Sequence, residues 1–125
     1  QYSKIVEIDS NAFITLRRLR VLLLDFNELN KISNFSSQFT SMTSFAISSN
    51  KIEILDENIF NFVNNINRFS IQKNIIKKIE KKAFSNFQLI RVINLLENNI
   101  EDLEPGLFSN MISLSNLELG YNEIR

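Results

Sequence analysis

A chain with no histidine and no cysteine among its 125 residues must do any chemistry with carboxylates, lysines, hydroxyls and amides. Zinc then lacks its usual ligands, and the Ser-His and Cys-His pairs that activate a nucleophile cannot be assembled. Two glycines, Gly106 and Gly120, leave no phosphate-cradling loop. Glu97, Glu101, Asp102 and Glu104 crowd together in sequence but lack the spacing of a calcium loop, and they read as a solvated turn. Lys77, Lys78, Lys81 and Lys82 surround the apolar Ile79 and read as an outer coat, with a heparin- or nucleic-acid-binding patch as the alternative. Lys+Arg and Asp+Glu are equal at 14 each, so no net field favours nucleic acid or an anionic membrane. No catalytic, cofactor-binding or metal-binding residue is predicted, no enzyme activity is expected, and nucleic acid is not an expected partner.

The informative polar residues are five asparagines, Asn27, Asn50, Asn74, Asn98 and Asn122, spaced by 23, 24, 24 and 24 residues. Each carries apolar residues at offsets −8, −5, −3, +2 and +5, as in Ile66, Phe69, Ile71, Ile76 and Ile79 around Asn74; at Asn122 the chain stops before +5. A phenylalanine recurs at −14 in Phe13, Phe60, Phe84 and Phe108, and −11 is apolar in every copy. Ile5 and Ile8 fit the +2 and +5 positions of an earlier copy whose asparagine place is taken by Ser3. A fixed period of this length marks a solenoid. The alternation before each asparagine has the two-residue period of a strand with one buried face. Strands are therefore predicted at 21–25, 44–48, 68–72, 92–96 and 116–120, one per coil of a parallel sheet. A side-chain amide has donors and an acceptor, so the asparagines read as a structural ladder satisfying backbone groups where the chain leaves each strand.

Read as L-x-x-L-x-L-x-x-N-x-I-x-x-I, the whole chain resembles the leucine-rich repeat family. Its 24-residue copies and phenylalanine are similar to the typical repeats of Toll-like receptor ectodomains, Slit-like adhesion proteins and secreted insect immune proteins. The resemblance implies an α/β-type solenoid: a right-handed horseshoe with a parallel concave sheet and loops or short 3-10 segments on its convex side. It implies one array over 1–125, with a partial repeat at 1–8. It also implies a non-catalytic recognition module of an extracellular receptor, adhesion or secreted immune protein, with a protein ligand or co-receptor as partner. The alternative is an intracellular scaffold or regulatory segment of a larger multidomain protein. Missing cysteines leave the compartment open, because the disulfide-bonded caps of secreted relatives would lie outside this window. Apolar runs such as 21–24 are too short to cross a bilayer, so no direct membrane insertion is expected.

Strand positions facing away from the core are free of the repeat's packing demands, and their identities can answer to a partner. The candidates are Val21, Leu23 and Phe26 on the first strand, Arg68 and Gln72 on the third, Val92 and Leu96 on the fourth, and Tyr121 on the fifth. Ser44, Ala46, Ser48 and Ser70 make a small, polar surface between the two apolar groups.

The second copy is one residue short, and its Phe35 falls at −15, out of register but still expected in the core. Asn34-Phe35-Ser36 is the only N-x-S/T sequon, which makes Asn34 the candidate glycosylation site. Both chain ends cut through repeats, the pattern expected of an internal fragment. Faces built to be covered by another coil would then be open, at Ile5, Ile8 and Phe13 and at Leu117, Leu119 and Ile124. The isolated chain is predicted to be unstable or to self-associate through these ends. Sedimentation at micromolar concentration checks this, and a monomer with one cooperative melt would refute it.

Overall fold

A computed structural model describes residues 4–32, 34–35, 39–57 and 59–125. The placeholder Ser3 and the return residues 33 and 36–38 lie outside them. Five three-residue strands, β1 (Val21–Leu23), β2 (Ser44–Ala46), β4 (Arg68–Ser70), β6 (Val92–Asn94) and β7 (Asn116–Glu118), form one parallel sheet in the order β1-β2-β4-β6-β7. The pairing register follows the asparagine spacing: Phe45 sits opposite Leu22 on one side and Phe69 on the other, and Ile93 opposite Phe69 and Leu117.

Each strand is two residues shorter than predicted, although bonding between coils runs on. The amides of Leu24 and Phe26 donate to the carbonyls of Ala46 and Ser48 at 2.8 and 3.0 Å, and the same pair of bonds joins each later coil to the next. Three residues past each strand comes a backbone bend. Phe26, Ser49, Lys73, Glu97 and Tyr121, each just before its asparagine, take φ values of 55–60°. Non-glycine residues hold this left-handed conformation only where the surroundings impose it.

The asparagines impose it. Asn74 Oδ1 accepts the Ile52 amide of the preceding coil at 2.9 Å. Its Nδ2 donates to Ile71 and Gln72 of its own coil and to Ile47 of the coil before. Asn50 and Asn98 repeat all four contacts. The bent backbone thus finds partners inside the stack, where water cannot reach it.

The convex side carries no α-helix or 3-10 helix among the described residues; it is built from separate turns closed by i to i+3 bonds such as Phe87 to Phe84. Of the expected loops or short 3-10 segments, it is loops and turns that form the convex side. The 20 or 21 residues between successive strands of the sheet are consumed by these turns and by a second, unforeseen pairing. Here β3 (Ile54–Leu55) and β5 (Lys78–Ile79) run parallel along the descending side.

Phenylalanines fill the space between sheet and turns. Phe60, Phe84 and Phe108 stack from coil to coil with ring centroids 5.9 and 6.0 Å apart. In the short second coil Phe35 is buried and packs edge-on against Phe13, Phe39 and Phe62. Phe62 is a core residue that the repeat pattern misses, because the later coils carry asparagine at that place. Asn86 and Asn110 there donate across to carbonyls of the coil before. The short coil presents Phe35 and Phe39 instead, and a ring fits that hole better than an amide. The signal in the sequence is the coincidence of Phe62 with the one-residue deletion beside it.

Removing the Asn74 amide should leave the buried Ile52 amide without a partner and take one of two donors from the carbonyls of Ile47, Ile71 and Gln72, lowering stability by about 1–3 kcal/mol, with Phe84→Ala costing about 3–5 kcal/mol. Asn27→Ala should cost less, since Asn27 is half-buried and donates only within its own coil. Urea denaturation of the three variants checks this, and equal losses at Asn27 and Asn74 would refute the ladder's role.

Candidate binding face

Side chains at alternate strand positions point away from the core, and they differ sharply along the array. On the first strand Val21, Leu23 and Phe26 are 49%, 65% and 72% exposed. The left-handed turn at Phe26 lifts its ring off the end of the strand. At the other end of the sheet Tyr121, in the equivalent turn, is 84% exposed. Arg68 is exposed on the middle strand.

The rest of the face is knitted together. Asp25 Oδ1 accepts the Ser48 amide at 2.6 Å, and the Ser48 and Ser70 hydroxyls meet at 3.0 Å, which buries Ser48. Asn94 Nδ2 donates to Gln72 Oε1 at 3.2 Å while its own Oδ1 accepts the Leu96 amide. Gln72 is therefore half-buried and engaged. Val92 and Leu96 are half-buried too. Leu96 lies across Gly120, where an added Cβ would come within 3.0 Å of Leu96 Cδ2. Of the two apolar groups, the one on the first strand is open and the one on the fourth is partly used by the fold. Strand alternation could not show this, because it says which way a side chain points but not what its neighbour in the next coil covers.

The lysine-rich stretch has a different setting. In the coils on either side of Lys77 and Lys78, the corresponding positions are Glu53 and Ile54, and Glu101 and Asp102. Lys82 pairs with Glu57 at 3.6 Å, both exposed, and Glu80 Oε2 accepts the Glu57 amide. A shallow groove of 540 Å³ on this side is lined by Lys77 and Lys78 together with Glu101, Asp102, Glu104 and Glu123. The basic run is thus interleaved with acids from coil to coil, which a linear sequence does not display. Among the described residues no group of three His, Cys, Asp or Glu is placed to hold a metal ion. No helix there is long and apolar enough to cross a membrane. Asn34 is exposed beside the convex turn, while Ser36 of its sequon lies outside the described residues.

The family profile of the leucine rich repeat matches residues 64–124. Those residues hold β4, β6 and β7 with three of the five asparagines, and the earlier coils repeat their geometry. The chain has the fold of a leucine-rich repeat solenoid. Solved structures agree over nearly its whole length. TLR13, solved as a complex with ssRNA13, superposes with a TM-score of 0.91 at 27% identity, over 96% of this chain and 17% of that one. Toll, from the Drosophila Toll–Spatzle complex, gives 0.84 at 22%, over 95% and 16%. A leucine-rich repeat protein of Leptospira interrogans gives 0.86 at 23%, over 100% and 31%. The array thus spans less than a third of each of these chains. No curated protein sequence matches it. Since TLR13 is solved with an RNA, overall charge balance is no ground for excluding nucleic acid as a partner, and that expectation is withdrawn.

Leu23→Ala and Phe26→Ala should leave stability within about 0.5 kcal/mol of the parent, because neither side chain is packed. Leu96→Ala should cost about 1 kcal/mol from its contact over Gly120. Thermal and urea melts of the three variants decide it; equal effects would mean that the first-strand patch is covered in solution.

Proposed function

We propose that this array is a non-catalytic recognition module that binds a protein ligand or co-receptor through the concave sheet, as part of an extracellular receptor, adhesion or secreted immune protein. The observation that carries the reading is the open apolar group of Val21, Leu23 and Phe26. Nothing in the repeat requires apolar residues there, and three together on one strand exceed the scattered exposure of an ordinary surface. Arg68 and Tyr121 add side chains of the kinds that dominate binding energy. Similarity to TLR13, a ligand-bound solenoid, supports the same class of role, and the extracellular setting rests on that likeness and on the repeat type. Asn34, exposed on the convex side, is the glycosylation site of this reading, clear of the concave face.

Five strands about 4.8 Å apart give a face roughly 20 Å across, whereas a standard interface takes about 20–30 residues per partner. This segment therefore supplies part of a longer surface. In the protein that carries the array, Leu23→Ala and Phe26→Ala should each weaken partner binding by about tenfold or more without shifting the melting temperature. Surface plasmon resonance with the purified partner measures this. Loss of binding on Lys78→Ala and Lys81→Ala, with Leu23 and Phe26 silent, would move the site to the descending side.

A further inference from the structure

Opposite charges are separated across the sheet. The segments that climb into the strands, 16–21, 39–44, 63–68, 87–92 and 111–116, contain five of the six arginines and not one aspartate, glutamate or lysine. The arginines are Arg17, Arg18, Arg20, Arg68 and Arg91, and all are exposed. The carboxylates of the concave face, Asp25, Glu97 and Glu118, stand further along their strands, and most of the others line the descending side among the lysines. None of the five guanidinium groups has an ion-pair or hydrogen-bond partner among the described residues, where Lys82–Glu57 is the one ion pair. An electrically neutral chain thus carries one unneutralised edge.

The edge is held rigidly. The Arg20 carbonyl accepts the amides of Thr43 and Ser44, and the Arg91 carbonyl those of Ser115 and Asn116. Arg68 lies within β4. Their backbones are fixed before any partner arrives, which lowers the ordering cost of binding. Arginine offers a planar fork of donors that matches a carboxylate in two parallel bonds, which an ammonium cannot do. Three coil steps of about 4.8 Å separate Arg20 from Arg91, a span of about 14 Å that four or five residues of extended chain would cover. Thr43, Ser44 and Asn67 lie between them with hydroxyl and amide groups suited to a peptide backbone. The strongly exposed aromatics Phe26 and Tyr121 stand at the far margin of the sheet, about 17 Å along the strands, so bases have no stacking platform at this edge.

We propose that the edge formed by Arg20, Arg68 and Arg91 binds an extended acidic polypeptide segment of the partner. This rests on the recognition reading above and adds to it the charge and placement of one part of the partner. Fluorescence anisotropy of the full chain with a labelled decaglutamate peptide tests it, beside a single-stranded oligouridylate of equal charge. The peptide should bind, and R20Q/R68Q/R91Q should weaken it by about tenfold or more, while R20K/R68K/R91K, which keeps the charge, should still lose about threefold. K77Q/K78Q/K81Q should change it by less than about twofold, since those lysines sit among acids. Unchanged melting temperatures are expected, as none of these arginines has a partner to lose. Absence of peptide binding, equal binding by R20Q/R68Q/R91Q, or tighter arginine-dependent binding of the oligouridylate would each overturn the proposal, the last in favour of a nucleic-acid edge. Leu23→Ala and Phe26→Ala should leave peptide affinity unchanged, so the arginine edge can fail while the concave apolar site stands, and the reverse.

Discussion

Each coil of this protein turns on one amide. A strand that must hand its chain over to a descending segment needs a sharp bend inside the stack, where water cannot satisfy the backbone. Asn50, Asn74 and Asn98 each supply one acceptor and bifurcated donors that reach both their own coil and the coil before. The left-handed residue in front of each asparagine is held by those bonds, and so is the offset of about one strand width between successive coils. Every other regularity, including the straight register of the sheet and the stacking of phenylalanines behind it, depends on the bend recurring at the same place.

Because the asparagine fixes the bend, the residue just before it is relieved of any packing role. That is why Phe26, Ser49, Lys73, Glu97 and Tyr121 differ so widely while sharing one backbone conformation. The same division of labour runs through the strands. Inward positions are apolar in every coil, whereas outward ones range from Leu23 to Arg68 to Glu118. A concave face whose chemistry varies freely over a constant frame suits recognition, in which the frame supplies rigidity and the variable positions supply contact.

The short second coil shows how the frame absorbs a defect. Losing one residue puts Phe35 out of register, yet it stays buried, and Phe62 of the next coil turns inward to meet it at a centroid distance of 4.9 Å. Sheet pairing is unaffected: Val21 still faces Ser44, and Ser44 faces Arg68. The ladder is unaffected as well, since Asn50 makes the same four contacts as Asn74 and Asn98.

Periodicity alone was enough to place the coils, the strand centres, the buried rows and the asparagine turns, because each of these is set by residues that recur at fixed offsets in one coil. The core place of Phe35 was legible for the same reason. Other features depended on what two coils do to each other. The strands proved shorter than the alternation suggested, although bonding between coils continues as far as the bend. Leu96 is half-covered because Gly120, 24 residues away, leaves it room; Ser48 is buried by bonds to Asp25 and Ser70 of its neighbours. Separation of arginines to one edge, and interleaving of lysines with acids on the other side, likewise exist only once residues a full period apart are brought within a strand spacing. A sequence states what each coil must bury; stacking decides what each coil is left to show.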